Sequence, residues 1–152
     1  MGAVEADLVL VMDVLEHVED DVGLLKEYIG KVPCGTGFLI SVPAFQFLWS
    51  EHDVFLGHRR RYTLSQICSV AERAGLMVES SAYYFGAILP AVAAMRVLGR
   101  IFRRSSRPIK SQLRRHSKVV NGLLKMACHA ELGIMRLNHV AGLTAFCMAR
   151  TR

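Results

Sequence analysis

Two short apolar runs with a helical pattern between them constrain the fold of this chain most strongly. The first run covers residues 7–12 and the second covers 37–42, and neither shows the polar alternation of a half-exposed strand. Continuous apolar strands are typical of parallel sheets that are buried on both faces. Within 20–31, apolar residues recur at helical spacing beneath an acidic first turn, which suits the helix dipole. The sequence therefore predicts a βαβ unit with a right-handed crossover in an α/β fold.

The elements that follow can be placed from their end signals. A loop is predicted over 43–62. Thr63 is a typical N-cap and Gly75 a typical C-cap, which predicts a helix between them. Residues 77–83 and 143–149 have the composition of two more strands. A chain of 152 residues with 52% hydrophobic composition is long enough to form one domain around such a sheet.

A segment of different character, 85–138, separates the last two strands. Its first part, 85–98, is almost wholly apolar but falls short of the roughly 20 residues that a membrane-spanning helix needs. A run of cations without an acidic residue follows: Arg100, Arg103, Arg104, Arg107, Lys110, Arg114, Arg115 and Lys118. Two interpretations remain open, namely a basic helical cap packed on the sheet and an interfacial helix that lies on an anionic membrane.

Charge is distributed unevenly along the chain. Residues 1–55 carry a net charge of −8 and residues 56–152 carry +14, which together give the net charge of +6. The basic part predicts an anionic partner such as membrane lipid, a phosphorylated substrate or nucleic acid. The four cysteines form no metal-like pairing and the N-terminus has no basic, apolar signal. We therefore expect no metal site and a cytoplasmic protein, with membrane association as the alternative.

Residues 7–20 read Asp-Leu-Val-Leu-Val-Met-Asp-Val-Leu-Glu-His-Val-Glu-Asp. This segment resembles the D-x-V-x-x-x-x-V-L-E-H-V stretch of class I S-adenosylmethionine-dependent methyltransferases, especially the type 11 and type 12 groups and the ubiquinone-biosynthesis O-methyltransferases. The resemblance implies S-adenosylmethionine as cofactor, with Met12, Asp13 and His17 as its ligands, and it aligns Glu16 and His17 with the family's E-H pair. Helix capping is the alternative role for Asp13 and His17.

The densest polar chemistry lies in residues 49–63, Trp-Ser-Glu-His-Asp-Val-Phe-Leu-Gly-His-Arg-Arg-Arg-Tyr-Thr. The segment resembles the W-S-x-H-D-x-x-x-G-H-x-R-R-Y-T loop that closes over the acceptor pocket in the same relatives. Methyl transfer requires alignment of acceptor and methyl, and a histidine suits removal of the acceptor's proton. His52 and His58 are therefore the candidate catalytic bases, with Asp53 as a partner that could orient them. The predicted acceptor ligands are Asp53, Arg59, Arg60, Arg61 and Tyr62. A purely structural arginine cluster is the alternative.

The rest of the chain fits the same resemblance. Residues 31–43 resemble the family's L-K-P-G-G-x-L-x-x-S-V-P, and 142–150 resemble its last strand, which is antiparallel and inserts between the two preceding ones. The resemblance implies a partial Rossmann-like methyltransferase sheet of about four strands, in the family order fourth, fifth, seventh, sixth. It also implies that 1–152 is the C-terminal part of the domain, with the glycine-rich cofactor loop upstream. The strand at 7–12 is then an apolar edge that could pair with a second copy into a homodimer.

Two functions follow from these features. The first is methyl transfer from S-adenosylmethionine to a small or lipid-linked, anionic acceptor, with the chain inactive as a fragment. The second is a non-enzymatic basic module that binds anionic membrane or nucleic acid. Nucleic acid is the weaker partner because the basic run has no aromatic platform apart from Phe102, and we expect none to bind.

Overall fold

A mixed four-stranded sheet is the frame of the molecule in the computed structural model, which describes residues 4–101 and 117–152. The strands are β1 (Leu8–Met12), β2 (Gly37–Pro43), β3 (Leu76–Tyr84) and β4 (Thr144–Thr151). Their spatial order is β1-β2-β4-β3, with β1 parallel to β2 and β4 antiparallel to both of its neighbours. The predicted α/β fold, strand order and antiparallel last strand are confirmed.

One face of the sheet is covered by α1 (Asp21–Ile29) and α3 (Leu64–Ala74), while the short α2 (Glu51–Leu56) lies between them in the chain. The apolar side chains of α3 recur every three or four residues and pack with those of β2 and β4 in the core. Thr63 accepts the backbone N–H of Gln66, and Gly75 ends the helix at φ +105°, a backbone angle that favours glycine. Both predicted caps are confirmed.

Strand β1 is buried on one face only, which corrects the expectation that both faces are covered. Val11 is buried, but Leu8, Leu10 and Met12 remain 47%, 61% and 43% exposed. These three side chains point to the face opposite α1 and α3, because successive side chains of a strand alternate. Among the described residues β1 pairs only with β2, so it is an edge strand. Homodimer formation through this edge stays a prediction.

The predicted loop over 43–62 contains regular structure that the sequence did not indicate. A 3₁₀ turn covers Gln46–Leu48, α2 covers Glu51–Leu56, and Gly57 ends α2 at φ +74°. The helix begins where Ser50 donates its backbone N–H and its hydroxyl to Asp53. Six residues are too few for a recognisable apolar period, so the hydrophobic pattern did not reveal the helix.

Two helices lie in the described part of the predicted cap (85–138), α4 (Leu89–Ile101) and α5 (Lys118–Leu132), followed by a 3₁₀ turn at Met135–Leu137. The cap is attached to the end of β3, because Tyr84 donates its hydroxyl to the Cys128 carbonyl and Glu131 accepts the Gly86 N–H. The cations between 103 and 115 lie outside the described residues. Within the ranges that are described, no helix combines the length and the apolar character needed to cross a bilayer.

Candidate functional site

The tips of β1 and β2 form the edge of the sheet at which the predicted site residues meet. Met12 ends β1, and Asp13 follows in a left-handed conformation at φ +52°. The Asp13 N–H donates to the Ser41 carbonyl at 3.0 Å, and the Ser41 hydroxyl donates to Asp13 Oδ1 at 3.2 Å. Met12, Asp13 and His17 are all open to solvent there. The three predicted cofactor ligands are therefore neighbours at one edge, and their contact with a cofactor stays a prediction.

Backbone hydrogen bonds bring the loop after α2 back to this edge. Tyr62 donates its N–H to the Pro43 carbonyl at 3.0 Å and accepts the Phe45 N–H at 2.9 Å. The Arg59 N–H donates to the Glu16 carbonyl at 2.7 Å. The loop that carries the histidine and arginines thus lies directly against the 3₁₀ turn Leu15–His17 that follows β1.

Asp53 is the centre of a buried ion-pair network. Its Oδ1 accepts Arg61 Nε at 2.7 Å and faces His58 Nδ1 at 3.0 Å, while its Oδ2 accepts the Ser50 N–H at 2.8 Å. Arg96 of α4 reaches within 3.7 Å of Oδ2. Burial alone would raise the pKa of Asp53, but the hydrogen bonds from His58 and Arg61 and the Arg61 charge hold it below its usual value. Asp53 is consequently an ionised carboxylate whose two oxygens are both occupied.

The ionised Asp53 fixes the orientation and tautomer of His58. A carboxylate can only accept a hydrogen bond, so the His58 Nδ1 facing it carries the hydrogen. The other ring nitrogen, Nε2, then points away from Asp53 and lies 3.9 Å from Glu16 Oε1. The His58 ring also meets the His17 ring edge to face, with 4.8 Å between the centroids. His58 therefore presents its Nε2 to a cluster formed with Glu16 and His17.

Glu16 is the residue of this cluster that the sequence-based site assignment missed. It is fully buried, and neither carboxylate oxygen has a hydrogen-bond partner among the described residues. Burial raises the pKa of Glu16 to about 7, with a smaller contribution from the charge of Asp13, and outweighs the lowering effects of the residue's own backbone N–H and of the Arg61 charge. A buried carboxylate with a strongly shifted pKa is typical of functional sites. The one available signal was a glutamate inside the apolar run Val-Leu-Glu-His-Val, on the E-H pair of the resemblance.

Most of the predicted acceptor ligands are held by bonds within the chain. Arg60 donates to the carbonyls of Val18 and Glu19, at 3.1 and 2.8 Å, and Arg61 donates to the Ala44 carbonyl at 2.9 Å in addition to Asp53. Tyr62 donates its hydroxyl toward the Leu15 carbonyl and Asp21 Oδ2, and burial raises its pKa. Arg59 differs, because its side chain is 54% exposed and lies 3.8 Å from the exposed Glu19.

The remaining predicted site residues lie in two separate places. His52 lies on α2, with a buried Nδ1 that has no hydrogen-bond partner in the described part of the chain, and it does not join the Glu16 cluster. An open cleft of about 740 Å³ lies instead along the start of α3. Its lining includes Phe45, Phe47, Arg60, Arg61, Tyr62 and Arg73, but neither His52 nor His58. The acceptor roles of these residues stay predictions.

No protein-family model and no curated protein sequence matches the chain. Among solved structures, phosphoethanolamine N-methyltransferase 2 of Haemonchus contortus, in complex with S-adenosyl-L-methionine, is similar with a TM-score of 0.50 and 17% identity. A SAM-dependent methyltransferase from Archaeoglobus fulgidus has a TM-score of 0.47 and 13% identity, over 95% of this chain and 59% of its own. The first match covers 95% of this chain and 33% of the other, so the chain spans about one third of that structure. The likeness shows the fold alone: an open α/β sheet with flanking helices like that of the Haemonchus contortus structure.

Proposed function

We propose that this chain forms the acceptor side of an S-adenosylmethionine-dependent methyltransferase that acts on a small or lipid-linked, anionic acceptor. One observation carries the proposal: an acid–base cluster of Glu16, His58 and Asp53 lies beside the tip of β1 on a methyltransferase fold. In open α/β sheets, ligands bind at the carboxyl ends of the strands. The sequence resemblance assigns the same edge to the methionine end of the cofactor.

Met12, Asp13 and His17 would hold that end of the cofactor. S-adenosylmethionine, when bound, supplies an electrophilic methyl group on a sulfonium. The exposed Asp13 carboxylate at the strand tip suits the ammonium group of a methionine moiety, and the exposed Met12 side chain suits its apolar part. The residues present therefore fit the methionine end. The glycine-rich loop and the acidic ribose ligand of the family are expected upstream of Met1.

His58 is a better supported base than His52. Its Nε2 is unprotonated when the ring is neutral and faces the cluster, so it can take a proton from a bound acceptor. Asp53 then stabilises the imidazolium from the Nδ1 side, because it stays ionised and bonded to that nitrogen. Arg59 adds an exposed cation to the same loop, which favours an anionic acceptor.

Cofactor binding is the direct test. We expect calorimetry of residues 1–152 with S-adenosylmethionine to give little or no heat, and the reading frame before Met1 to encode a strand followed by G-x-G-x-G. The product that includes this strand is expected to bind the cofactor with micromolar affinity and to release S-adenosylhomocysteine when supplied with anionic lipid or polar metabolite fractions.

His58→Gln is expected to abolish turnover and keep cofactor binding, with His52→Gln as the matched control. An extended product that binds no cofactor would refute the proposal. Micromolar binding by 1–152 alone would refute the need for the upstream loop.

A second candidate, membrane binding through the cap, is favoured by a separate observation. Apolar side chains on and after α5 are strongly exposed, among them Leu123 at 62%, Met126 at 70% and Val140 at 85%. The cationic run from Arg100 to Lys118 is adjacent in sequence, and the combination suits an anionic bilayer surface. Flotation with anionic liposomes tests this candidate. An Arg100→Glu, Arg103→Glu, Arg104→Glu variant that floats as well as the parent chain would remove it.

A further inference from the structure

Three side chains from two distant segments converge at the edge of the sheet and present metal-ligand atoms to one another. Glu16 and His17 belong to the 3₁₀ turn after β1, and His58 belongs to the loop after α2. One ligand atom from each, a carboxylate oxygen and two imidazole nitrogens, lies within 4.8 Å of the other two. We propose that Glu16, His17 and His58 bind a divalent transition-metal ion of the zinc type.

The buried carboxylate is the first reason. Glu16 is completely shielded from solvent, and neither of its oxygens has a hydrogen-bond partner among the described residues. Burying a carboxyl group without partners is costly, so natural structures pair such groups or coordinate them to metals. A cation between Glu16 and the two imidazoles supplies that partner from the side to which the histidines point.

The orientation of His58 is the second reason. Its Nδ1 is held by Asp53, which leaves the Nε2 lone pair directed at Glu16 across 3.9 Å. That separation is too long for a hydrogen bond and about half an ångström more than the roughly 3.4 Å between two ligand atoms of a tetrahedral zinc ion. Separations in the set of three reach up to 4.8 Å, so binding of an ion requires the side chains, above all the exposed His17, to move closer together. A metal-bound histidine usually donates its second nitrogen to a carboxylate, as His58 donates to Asp53 here.

The ligand set selects the class of metal. Two imidazole nitrogens and one carboxylate oxygen suit zinc and its neighbours, whereas magnesium and calcium prefer oxygen ligands alone. Three protein ligands leave a coordination position open, as in catalytic zinc sites. His17 is exposed, so the ligand set reaches the solvent near the tip of β1.

The link to methyl transfer rests on the proposed function, whereas the metal site itself does not. In a metal-loaded protein His17 and His58 would be ligands of the ion, so the roles proposed above for them, as cofactor ligand and as base, apply to the metal-free protein. An ion held by Glu16, His17 and His58 would supply a Lewis acid that lowers the pKa of an acceptor hydroxyl near the open position.

The test is calorimetry of the full chain with Zn²⁺ and with Mg²⁺, together with the visible absorption of the Co²⁺-loaded protein. We expect one Zn²⁺ per chain with micromolar or tighter Kd, no measurable heat with Mg²⁺, and a Co²⁺ spectrum of low coordination number. Glu16→Gln and His17→Ala should each lower the affinity for Zn²⁺. The loss should exceed the roughly 10–100-fold that is typical when a hydrogen-bond partner of a metal ligand is removed. The exposed His139→Ala is the matched control and should bind like the parent chain.

Two results would overturn the metal site. One is the absence of stoichiometric Zn²⁺ binding by a chain whose circular dichroism shows it folded. The other is binding that Glu16→Gln and His17→Ala leave unchanged, which would place the ion elsewhere, for example at the exposed Cys34. Neither readout involves S-adenosylmethionine, so loss of the metal site leaves the cofactor test intact, and loss of the cofactor test leaves the metal site intact.

Discussion

Two buried carboxylates lie on opposite sides of the His58 ring and have opposite environments. Asp53, on the Nδ1 side, accepts hydrogen bonds from Ser50, His58 and Arg61, and its pKa is lowered. Glu16, on the Nε2 side, has no hydrogen-bond partner in the described part of the chain, and its pKa is raised to about 7. Both are fully buried, so burial alone does not explain the difference.

The two carboxylates therefore have different roles in the cluster: Asp53 stabilises the site, and Glu16 is free to bind a ligand. A carboxylate with both oxygens occupied has little capacity left for a ligand, and Asp53 also joins the start of α2 to Arg61 in the loop that follows it. A carboxylate without partners destabilises the fold unless something else binds it. The Asp53 side therefore builds the site, and the Glu16 side is where a proton, an acceptor or an ion is bound.

The largest expected effect is that of removing Asp53. Asp53→Ala leaves the Arg61 guanidinium, whose side chain is only 7% exposed, without its carboxylate. Breaking one partner of a buried ion pair costs about 3–5 kcal/mol, and urea unfolding should show a loss of this size. Glu79→Ala is the matched control, because it removes the exposed carboxylate of the Arg150 pair and should change little. Equal effects of the two substitutions would contradict the assigned role of Asp53.

The next effect depends on pH and concerns Glu16 in the metal-free protein. The folded chain keeps the Glu16 proton up to a pKa of about 7, whereas an unfolded glutamate loses it near 4.5. The contribution of Glu16 to the free energy of unfolding is therefore most favourable below pH 4.5, falls as the pH rises from 4.5 to about 7, and is constant above that. Glu16→Gln removes this loss. The free energy of unfolding of the variant should match that of the parent chain at acidic pH and exceed it by roughly 3 kcal/mol above pH 8. Urea unfolding of both proteins at several pH values tests this expectation. A variant that is less stable than the parent chain at every pH would contradict it.

The smallest effect separates two adjacent arginines. Arg60→Ala removes bonds to the Val18 and Glu19 carbonyls and should cost about 1 kcal/mol of unfolding free energy. Arg59→Ala removes an exposed side chain and should leave stability unchanged while weakening the binding of an anionic acceptor. Thermal unfolding of both variants tests the contrast. A larger loss of stability with Arg59→Ala than with Arg60→Ala would mean that Arg59, not Arg60, has the structural role.

Local signals predicted those parts of the fold that depend on neighbouring residues. The bounds of α3 followed from Thr63 and Gly75, and β2 followed from its apolar run. The exposure of Leu10 could not be predicted, because it depends on which helices cover each face of the sheet. The isolation of Glu16 could not be predicted either, because contacts far away in sequence create it: Arg59 bonds to the Glu16 carbonyl and Tyr62 to the Leu15 carbonyl.

The most direct measurement is the titration of the Glu16 carboxyl, followed by ¹³C NMR of metal-free protein labelled in its glutamate side chains. We expect one glutamate with a titration midpoint of about 7, and the loss of that signal in Glu16→Gln. If every glutamate titrated near 4.5, Glu16 would be solvated or paired like Asp53. The distinction between the two sides of His58 would then be contradicted.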